Sequence, residues 1–321
     1  MRIPFLSSPD YDVAGRTVFI TGAARGIGAA AATRLHAAGA NVALVGLEPD
    51  LLEELSASLG DRAAAFEADV TDYEALQRAV RGTVERFGGV DVGIANAGIS
   101  YIGRLATAPM QQVERALEVN LMGVWRTDRA LIEQITARRG YLLNIASLAA
   151  ASHTPLMGPY SASKAGVEAL TNSLRAETAP TGARVGCAYF GFIDTDLVRA
   201  SFAHPSSEVL TGTLPKFVAS PAPLSDAIDA IEQGVKRRSA RVWAPRYVGG
   251  ALVLRGVLQP LTELQMRFNK DLPRALDLAD PARGGVEDQH SELGVAGDAT
   301  RSKAPSSSAV KAKPKQPARR A

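Results

Sequence analysis

Residues 17–28 read T-V-F-I-T-G-A-A-R-G-I-G. The β-branched and aromatic residues 17–20 predict a short buried strand. Residues 29–38 read as a helix that Gly39 ends. A strand, a glycine-rich turn and a helix in this order predict a phosphate-binding turn, because glycines let the backbone approach a pyrophosphate and the helix N-terminus supplies N–H groups. The spacing G-x-x-x-G-x-G differs from the general dinucleotide fingerprint G-x-G-x-x-G, and an ordinary glycine-rich turn is the alternative.

A second stretch, residues 160–164, reads Y-S-A-S-K and indicates acid–base chemistry. On a helix, Tyr160 and Lys164 lie one turn apart on the same face and point into one site. A cation beside a phenol favours the phenolate and lowers its pKa, so the pair would exchange protons near neutral pH. Ser147 could donate a hydrogen bond to a substrate oxygen at the same place. Alone the motif is weak, since tyrosine and lysine are common on helix surfaces.

The pattern along the rest of the chain predicts an α/β fold. Strands are predicted at 17–21, 41–46, 63–67, 91–95, 140–146, 183–190 and 241–244, and helices at 26–38, 50–59, 72–87, 109–138, 159–179 and 225–237. Such alternation predicts a Rossmann-type, doubly wound parallel sheet with helices on both faces, in a single domain. Ligands of these sheets bind at the carboxyl ends of the strands, where both motifs fall.

Further landmarks follow in order along the chain. They are Ala68-Asp69-Val70 after the third predicted strand, Asn96-Ala97-Gly98 after the fourth, Asn120 in the fourth helix, and the run F-G-F-I-D-T at 190–195 after the sixth strand. With them the chain, over roughly residues 14–250, resembles the short-chain dehydrogenase/reductase family and its T-G-x-x-x-G-x-G and Y-x-x-x-K motifs. It departs from that pattern at Ala95, Ala146 and Phe190, where the family often has Asn, Ser and Pro, and none of these changes removes a catalytic group.

The resemblance implies an NAD(P)-dependent enzyme that moves a hydride reversibly between nicotinamide and the carbon of a carbonyl or secondary alcohol. It implies a catalytic set in which Tyr160 exchanges a proton with the substrate, Lys164 lowers the tyrosine pKa and binds the nicotinamide ribose, Ser147 positions the substrate oxygen, and Asn120 holds a water linked to Lys164. The cofactor-binding residues that it implies are Gly22, Ala24, Arg25, Gly26, Ile27, Gly28, Asp69, Val70, Asn96, Ala97, Gly98, Tyr160, Lys164, Gly191, Ile193 and Thr195. No metal is expected.

Cofactor choice rests on the end of the second strand. In the resembling family an acidic residue there binds the adenosine ribose and selects NAD, but this strand ends at Gly46. Arg25, before the second motif glycine, is where NADP-preferring members often carry a base. Against this, Leu47 offers no second cation, and Glu48 would repel a phosphate if it turned inward. We expect NADP or NAD, and favour NADP.

Composition bounds the remaining segments. The single cysteine, Cys187, excludes an internal disulfide and a cysteine-based metal site, and no signal or membrane-spanning pattern is seen, so we expect a cytoplasmic protein. Residues 302–321 carry six cations and no acid, and without them the net charge of +3 becomes −3. We predict an N-terminal arm at 1–13, a dinucleotide-binding domain at 14–245 with a substrate lid at 193–224, a hydrophobic C-terminal extension at 246–284, and a disordered Ala/Pro/Lys-rich basic tail at 285–321.

The lid and the extension should determine specificity. The lid is a long connection with four prolines and apolar side chains, including Leu197, Val198, Phe202, Leu210, Leu214 and Phe217. The extension is strongly hydrophobic and is broken by Arg255 and Pro260. It could roof a substrate pocket, lie at a membrane surface, form a subunit interface, or pack against the sheet edge. Similar family extensions accompany lipophilic alcohols and ketones, so we expect a lipophilic substrate.

The expected partners are therefore a small carbonyl or alcohol substrate and a second copy of the chain, as a homodimer or homotetramer. A weak peripheral membrane contact is a further reading, and no specific nucleic acid is expected, because the basic charge belongs to the tail. The alternative function is a non-catalytic dinucleotide-binding or scaffold protein with the same fold.

Overall fold

The computed structural model describes residues 10–212 and 214–280. Within these residues, parallel strands form one seven-stranded sheet in the order β3-β2-β1-β4-β5-β6-β7. The strands are β1 (Thr17–Thr21), β2 (Asn41–Gly46), β3 (Ala63–Glu67), β4 (Val92–Ala95), β5 (Tyr141–Ile145), β6 (Arg184–Phe190) and β7 (Arg241–Ala244). The doubly wound parallel sheet expected from the alternating pattern is thereby confirmed.

Helices cover both faces of the sheet. They are α1 (Gly26–Ala37), α2 (Pro49–Leu59), α3 (Tyr73–Phe87), α4 (Met110–Leu117), α5 (Gly123–Ala137), α6 (Gly158–Thr178), α7 (Asp196–Ala203), α8 (Pro205–Thr211), α9 (Lys216–Ala219), α10 (Leu224–Arg237), α11 (Arg246–Arg267) and α12 (Leu272–Leu278). On one face Leu35 of α1, Leu52 of α2 and Ile231 of α10 pack on the sheet, and on the other Leu76 of α3 and Leu131 of α5 do so. All five side chains are almost fully buried, which fits strands that read as continuous apolar runs.

The strand order places the ligand crevice. The chain winds from β1 outward to β3 and then crosses back to β4 on the other side of β1. The loops that leave the carboxyl ends of β1 and β4 therefore separate and open a crevice at this switch point. The glycine turn follows β1 and the Asn96-Ala97-Gly98 motif follows β4, so the topology brings two of the sequence landmarks together.

Two sequence-based expectations about helices were wrong in detail. The helix expected over 109–138 is interrupted at Glu118–Met122 by a π-helical turn, which widens the backbone around Asn120. The lid at 193–224, read as a long loop, contains α7, α8 and α9. Prolines explain the second error: Pro205 opens α8, and Pro215 lies immediately before α9. Proline is well suited to a helix start, where its missing N–H is not needed.

The described part of the predicted C-terminal extension forms two helices. α11 runs without a break from Arg246 to Arg267 with Pro260 inside it, and α12 follows. Val248 and Met266 on the inner side of α11 are buried. Arg255 Nη1 donates to both carboxylate oxygens of Glu168 on α6 at 2.9 Å, which ties the middle of α11 to the domain.

The ends of the chain are described only in part. In the predicted N-terminal arm, the Tyr11 backbone N–H donates to the Lys236 carbonyl at 2.6 Å, and Val13 is buried. The predicted basic tail, 285–321, lies outside the described residues.

Candidate active site

A cavity of about 250 Å³ lies at the carboxyl ends of the central strands. Its wall includes the glycine turn after β1, the segments at the carboxyl ends of β2 to β6, and the start of α6. Among the predicted site residues, those that line it are Gly22, Ala24, Arg25, Gly26, Ile27, Asp69, Val70, Asn96, Ala97, Gly98, Ser147, Tyr160, Lys164, Gly191, Ile193 and Thr195. Gly28 and Asn120 lie behind this wall and act through their neighbours.

The glycine turn is packed too tightly for side chains at two of its positions. A Cβ on Gly28 would lie 2.1 Å from the Gly22 carbonyl oxygen, and a Cβ on Gly22 would lie 2.9 Å from the Ala97 Cα. Asn96 fastens the same turn, because its side-chain amide donates to the carbonyls of Thr21 at 3.0 Å and Gly22 at 3.1 Å. The turn after β1 is therefore held directly against the end of β4.

At Gly26 the turn is open instead. Gly26 has a φ of +56°, and the nearest atom that its Cβ would meet, Thr195 Cγ2, is 3.8 Å away. Within the described part of the chain, no side chain caps the N-terminus of α1, and its first turn carries no acidic residue. Free N–H groups and the positive end of the helix dipole are thus presented at the cavity, which is the environment that a pyrophosphate requires. The residues fit the phosphates of a dinucleotide.

Two ion pairs lie at the end of the cavity near β2 and β3. Arg25 Nη2 lies 2.9 Å from Glu48 Oε1, and both side chains are partly exposed. Asp69 accepts a hydrogen bond from the Thr71 N–H at 2.8 Å and lies 3.6 Å from Arg115 Nη2. Sequence reasoning missed Arg115, since no local motif marks it and its position depends on how α4 approaches the end of β3.

Ser147 and Tyr160 meet at the other end. Ser147 Oγ accepts from the Ala149 N–H at 3.1 Å and donates to the Phe190 carbonyl at 3.2 Å. Burial raises the pKa of Tyr160 above its ordinary value, and a hydrogen bond with Ser147 lowers it in part. The expectation of a depressed tyrosine pKa is wrong for the structure as described, because desolvation outweighs the other influences.

Lys164 is deeply buried behind Tyr160. It is 4% exposed, its Nζ donates to the Ile145 carbonyl at 2.8 Å, and Nζ lies 5.7 Å from the centre of the Tyr160 ring. Burial lowers the pKa of Lys164 from 10.5 to about 8. The two side chains thus share one side of α6, as their spacing predicted, but the lysine is bound to the main chain and is itself strongly desolvated.

Asn120 has its side chain committed to the neighbouring loop. Its Oδ1 accepts from the Ile99 N–H at 2.7 Å, and its Nδ2 donates to the Ile99 carbonyl at 2.9 Å and to Ser163 Oγ at 3.3 Å. These bonds fix the chain just after Gly98, where Lys164 Nζ passes close by. Asn120 is fully buried, so its side chain positions the loop after β4.

A second cavity, of about 170 Å³, adjoins the first. The two share Ser147, Tyr160, Phe190, Gly191, Leu197 and Val198. The lining of the second is mostly apolar and includes Ile102, Leu148, Met157, Phe192, Phe202, Leu214, Tyr247 and Met266. Of the lid side chains expected here, Phe217 instead lies 65% exposed and makes an edge-to-face contact with Tyr247, with ring centres 5.5 Å apart. The Ser147–Tyr160 pair therefore stands where the two cavities meet.

Comparison with known proteins identifies the family. The sequence profile described as short chain dehydrogenase matches residues 16–206. The chain belongs to the short-chain dehydrogenase family. It is accordingly an NAD(P)-dependent oxidoreductase with a general dehydrogenase function and a nicotinamide dinucleotide cofactor.

Three similar proteins show the extent of the match. 3beta-hydroxysteroid dehydrogenase 1 of Eggerthella lenta is 34% identical over 209 residues, which are 63% of this chain and 80% of that protein. Glycine betaine reductase ATRR of Emericella nidulans is 37% identical over 197 residues, 60% of this chain but only 16% of that protein. A solved short-chain dehydrogenase/reductase from Burkholderia phymatum, in complex with NAD, superposes with a TM-score of 0.68 at 23% identity and covers 79% of this chain and 96% of its own. That likeness concerns the fold alone.

In the described residues, this short-chain dehydrogenase contains no helix that is long and apolar enough to cross a membrane. The described residues also contain no cluster of three or more metal-ligating side chains.

Proposed function

We propose that the protein interconverts an alcohol and its carbonyl compound, most suitably a secondary alcohol and a ketone, or else a primary alcohol and an aldehyde, with Tyr160 as the group that exchanges the proton. The observation that carries this proposal is the position of Tyr160 and Ser147, which both line the junction of a cavity that fits a dinucleotide and an apolar cavity. When bound, the cofactor supplies or accepts the hydride. The protein contributes orientation and a proton.

Burial favours the neutral phenol of Tyr160, and this is the form that donates a proton when a carbonyl substrate is reduced. Because desolvation raises its pKa, the phenol is held protonated, ready to donate its proton to a carbonyl oxygen that gains negative charge. For alcohol oxidation the phenolate is required, and Ser147 would stabilise it by turning its hydroxyl proton from the Phe190 carbonyl toward the tyrosine oxygen. A tyrosine that is protonated at rest supports reduction as the easier direction near neutral pH.

Ser147 would position the substrate oxygen. Its hydroxyl donates to the Phe190 carbonyl, and turning about the Cβ–Oγ bond redirects the proton toward an oxygen placed beside Tyr160. A donor aimed at a developing oxyanion stabilises it strongly in a site that excludes water. Phe190 thus takes part through its carbonyl, although it replaces the proline that is frequent in the family.

Lys164 and Asn120 would supply the path that returns the proton to Tyr160. Lys164 Nζ lies near Gly98 and is poised to titrate, since burial lowers its pKa to about 8. The Asn120 side chain is used by Ile99, so we propose that any relay water is held by main-chain groups at the π-helical turn, where the regular hydrogen-bond pattern is interrupted.

The substrate that we propose is lipophilic. Ile102, Leu148, Phe192 and Leu214 dominate the second cavity, and an apolar lining with a few convergent polar groups is typical of a pocket for a greasy small molecule. The steroid substrate named for the Eggerthella lenta relative supports a ring-bearing secondary alcohol.

For the cofactor, we propose that the Arg25–Glu48 pair determines the choice between NAD and NADP. The sequence favoured NADP through Arg25, but Arg25 Nη2 is bound to Glu48, whose carboxylate can also accept from ribose hydroxyls. A 2′-phosphate would have to displace that carboxylate, and opening a partly exposed ion pair costs only about 0–1 kcal/mol. The pair shifts our proposal toward NAD, with NADP accepted less tightly.

Assembly as a homodimer or homotetramer remains a proposal that rests on membership of the family.

The test of the proposed activity is Tyr160→Phe, assayed by nicotinamide absorbance against a panel of lipophilic ketones and alcohols with each cofactor. We expect turnover to fall about a hundred- to ten-thousandfold, because the acid–base group is lost, while cofactor binding by calorimetry is retained. Tyr189→Phe, in a buried tyrosine of β6, is the matched control and should keep its activity. A Tyr160→Phe enzyme with near-normal turnover would sink the assignment, and a wild type that binds cofactor but turns over no substrate would favour the non-catalytic scaffold.

A further inference from the structure

The outer side of α11 is an exposed apolar surface. Its members are Val253, Leu254, Val257, Leu258, Leu261, Leu264 and Phe268, which we call the α11 outer face. Val253 is 83% exposed and Phe268 72%, values that are unusual for large hydrophobic side chains. The members recur at helical spacing, so they lie along one side of the helix.

This surface is too long and too uniform to consist of a few hydrophobic side chains that are exposed separately. Residues 253–268 of a helix span about 24 Å at 1.5 Å per residue. The charged residues of α11 lie elsewhere, and Arg255 turns inward to Glu168. A continuous apolar surface of this kind on a folded domain marks an interaction site.

Two exposed aromatic side chains lie near the first turn of α11. Trp243 of β7 is 45% exposed, and its indole packs so closely on the first turn of α11 that a Cβ on Gly249 would lie 2.6 Å from its Nε1. Phe217, also exposed, makes an edge-to-face contact with Tyr247. Amphipathic aromatic rings are favoured at the boundary between lipid and water, where one part of the ring is buried and the other hydrated.

A strongly positive segment lies further along the sequence, after a stretch of mixed charge at 269–301. Residues 302–321 contain six lysines and arginines and no acid. By composition, residues 281–321 have only four side chains of valine or leucine, so this segment cannot supply a matching apolar cover for the α11 outer face. It can supply electrostatic attraction to an anionic surface, because a cluster of basic residues binds anionic lipids.

We propose that the α11 outer face lies on an anionic lipid surface, with the basic segment 302–321 adding attraction to the lipid headgroups. A helix that lies in the interface with its apolar side buried, together with a basic cluster, provides the two signals that stable peripheral binding requires. A second copy of this chain is the less suitable partner. The apolar band of the α11 outer face is wider than the seam through which two helices pair.

The inner side of α11 connects the proposed lipid-binding surface to the apolar cavity. Tyr247 and Met266 of α11 line the apolar cavity, so one helix contacts the substrate space on one side and would contact lipid on the other. A lipophilic substrate could then pass from the bilayer to Tyr160 without crossing water. This route rests on the proposed function, whereas the lipid-binding surface does not.

The experiment is flotation of the full chain with vesicles of phosphatidylcholine alone and of phosphatidylcholine with about a third phosphatidylserine. We expect binding to the anionic vesicles. Leu254→Glu/Leu261→Glu should weaken it about a hundredfold or more, since charges would replace two exposed leucines that the lipid would bury. The matched control is Leu51→Glu/Met110→Glu, at exposed apolar positions on α2 and α4, and it should bind within about twofold of wild type. Exchange of the six cations of 302–321 for glutamine should weaken anionic binding at least tenfold.

A measurement without changes in α11 covers the case in which the double variant misfolds. In a Trp125→Phe background, brominated lipids should quench the fluorescence of Trp243. Flotation as strong for the α11 double variant as for wild type, equal binding to neutral and anionic vesicles, or an unquenched Trp243 would each overturn the proposal. If wild type does not float and the double variant loses subunits in size-exclusion chromatography, the surface is an interface between copies. None of these readouts involves turnover, so they fail or succeed independently of the dehydrogenase assignment.

Discussion

Replacement of Lys164 by methionine tests how much stability the site gives up for its chemistry. Lys164 is 4% exposed, and its ammonium is bound to the Ile145 carbonyl at 2.8 Å. Burial lowers its pKa from 10.5 to about 8. Below pH 8 the folded protein therefore holds a charge in a place that disfavours charge, and an apolar side chain of similar length removes that penalty.

The sign and size of the effect follow from the two pKa values. The unfolded chain holds the lysine proton more tightly than the folded chain, so Lys164 subtracts stability at low pH and subtracts less as pH rises from about 8 toward 10.5. The shift corresponds to about 3 kcal/mol at pH 7, of which about 2 kcal/mol is regained by pH 9.5. Methionine also leaves the Ile145 carbonyl unpaired, which costs about 1–3 kcal/mol, so the net gain at pH 7 is about 0–2 kcal/mol.

The change in stability between the two pH values is the sharper test, because the lost hydrogen bond lowers the free energy of unfolding equally at both. Urea unfolding of wild type and Lys164→Met near pH 7 and near pH 9.5 should show the wild type gaining about 2 kcal/mol relative to the variant. Lys270→Met, at an exposed lysine after α11, should follow wild type at both values. Parallel stability curves for wild type and Lys164→Met would refute the reasoning. Turnover of the variant should fall in the same preparations.

Three further results are expected. Arg25→Met should weaken NADP binding about ten- to a hundredfold and NAD binding little, while Glu48→Gln should tighten NADP; equal effects on both cofactors in calorimetry would contradict the role of the pair. Gly28→Ala should abolish cofactor binding and lower the melting temperature, because its Cβ would lie 2.1 Å from the Gly22 carbonyl oxygen, and a variant with wild-type affinity would show that the turn can shift. Burial raises the pKa of Asp128 to about 7, so Asp128→Asn should stabilise the fold by a few kcal/mol at pH 8 and much less at pH 4, as measured by urea unfolding; no gain at pH 8 would mean that its Asn144 contact outweighs the burial of charge.

The strands were predictable because their burial leaves a simple mark. β1 and β2 read as unbroken apolar runs since both faces of the sheet are covered, and their observed bounds, Thr17–Thr21 and Asn41–Gly46, match the prediction. Site residues that sit in or beside glycine motifs were found in the same way, since Gly22 and Gly28 have backbone requirements that only glycine meets.

What the sequence did not indicate depends on contacts between distant segments. Arg115 reaches Asp69 from another helix, and Ser147 donates to the carbonyl of Phe190, a group that every residue carries. Pro260 inside α11 has a local explanation instead. Proline normally breaks a helix, but its missing donor would have bonded the carbonyl of Gly256, which is exposed here, so water can take the donor's place.

The pKa of Tyr160 shows why residue types alone do not fix the chemistry of this site. The spacing of Tyr160 and Lys164 predicted a cation that stabilises the phenolate, and the geometry does put both on one side of α6. Yet Lys164 reaches that position by being buried, so its own charge is disfavoured by the same surroundings that raise the tyrosine pKa. Burial disfavours both the phenolate of Tyr160 and the ammonium of Lys164, which are the two charged forms that the sequence argument assumed. The protonation states of both groups therefore depend on how far each is desolvated. Lys164→Met removes the amine, and unfolding and turnover measurements on that variant separate the effect of Lys164 on stability from its effect on the proton of Tyr160.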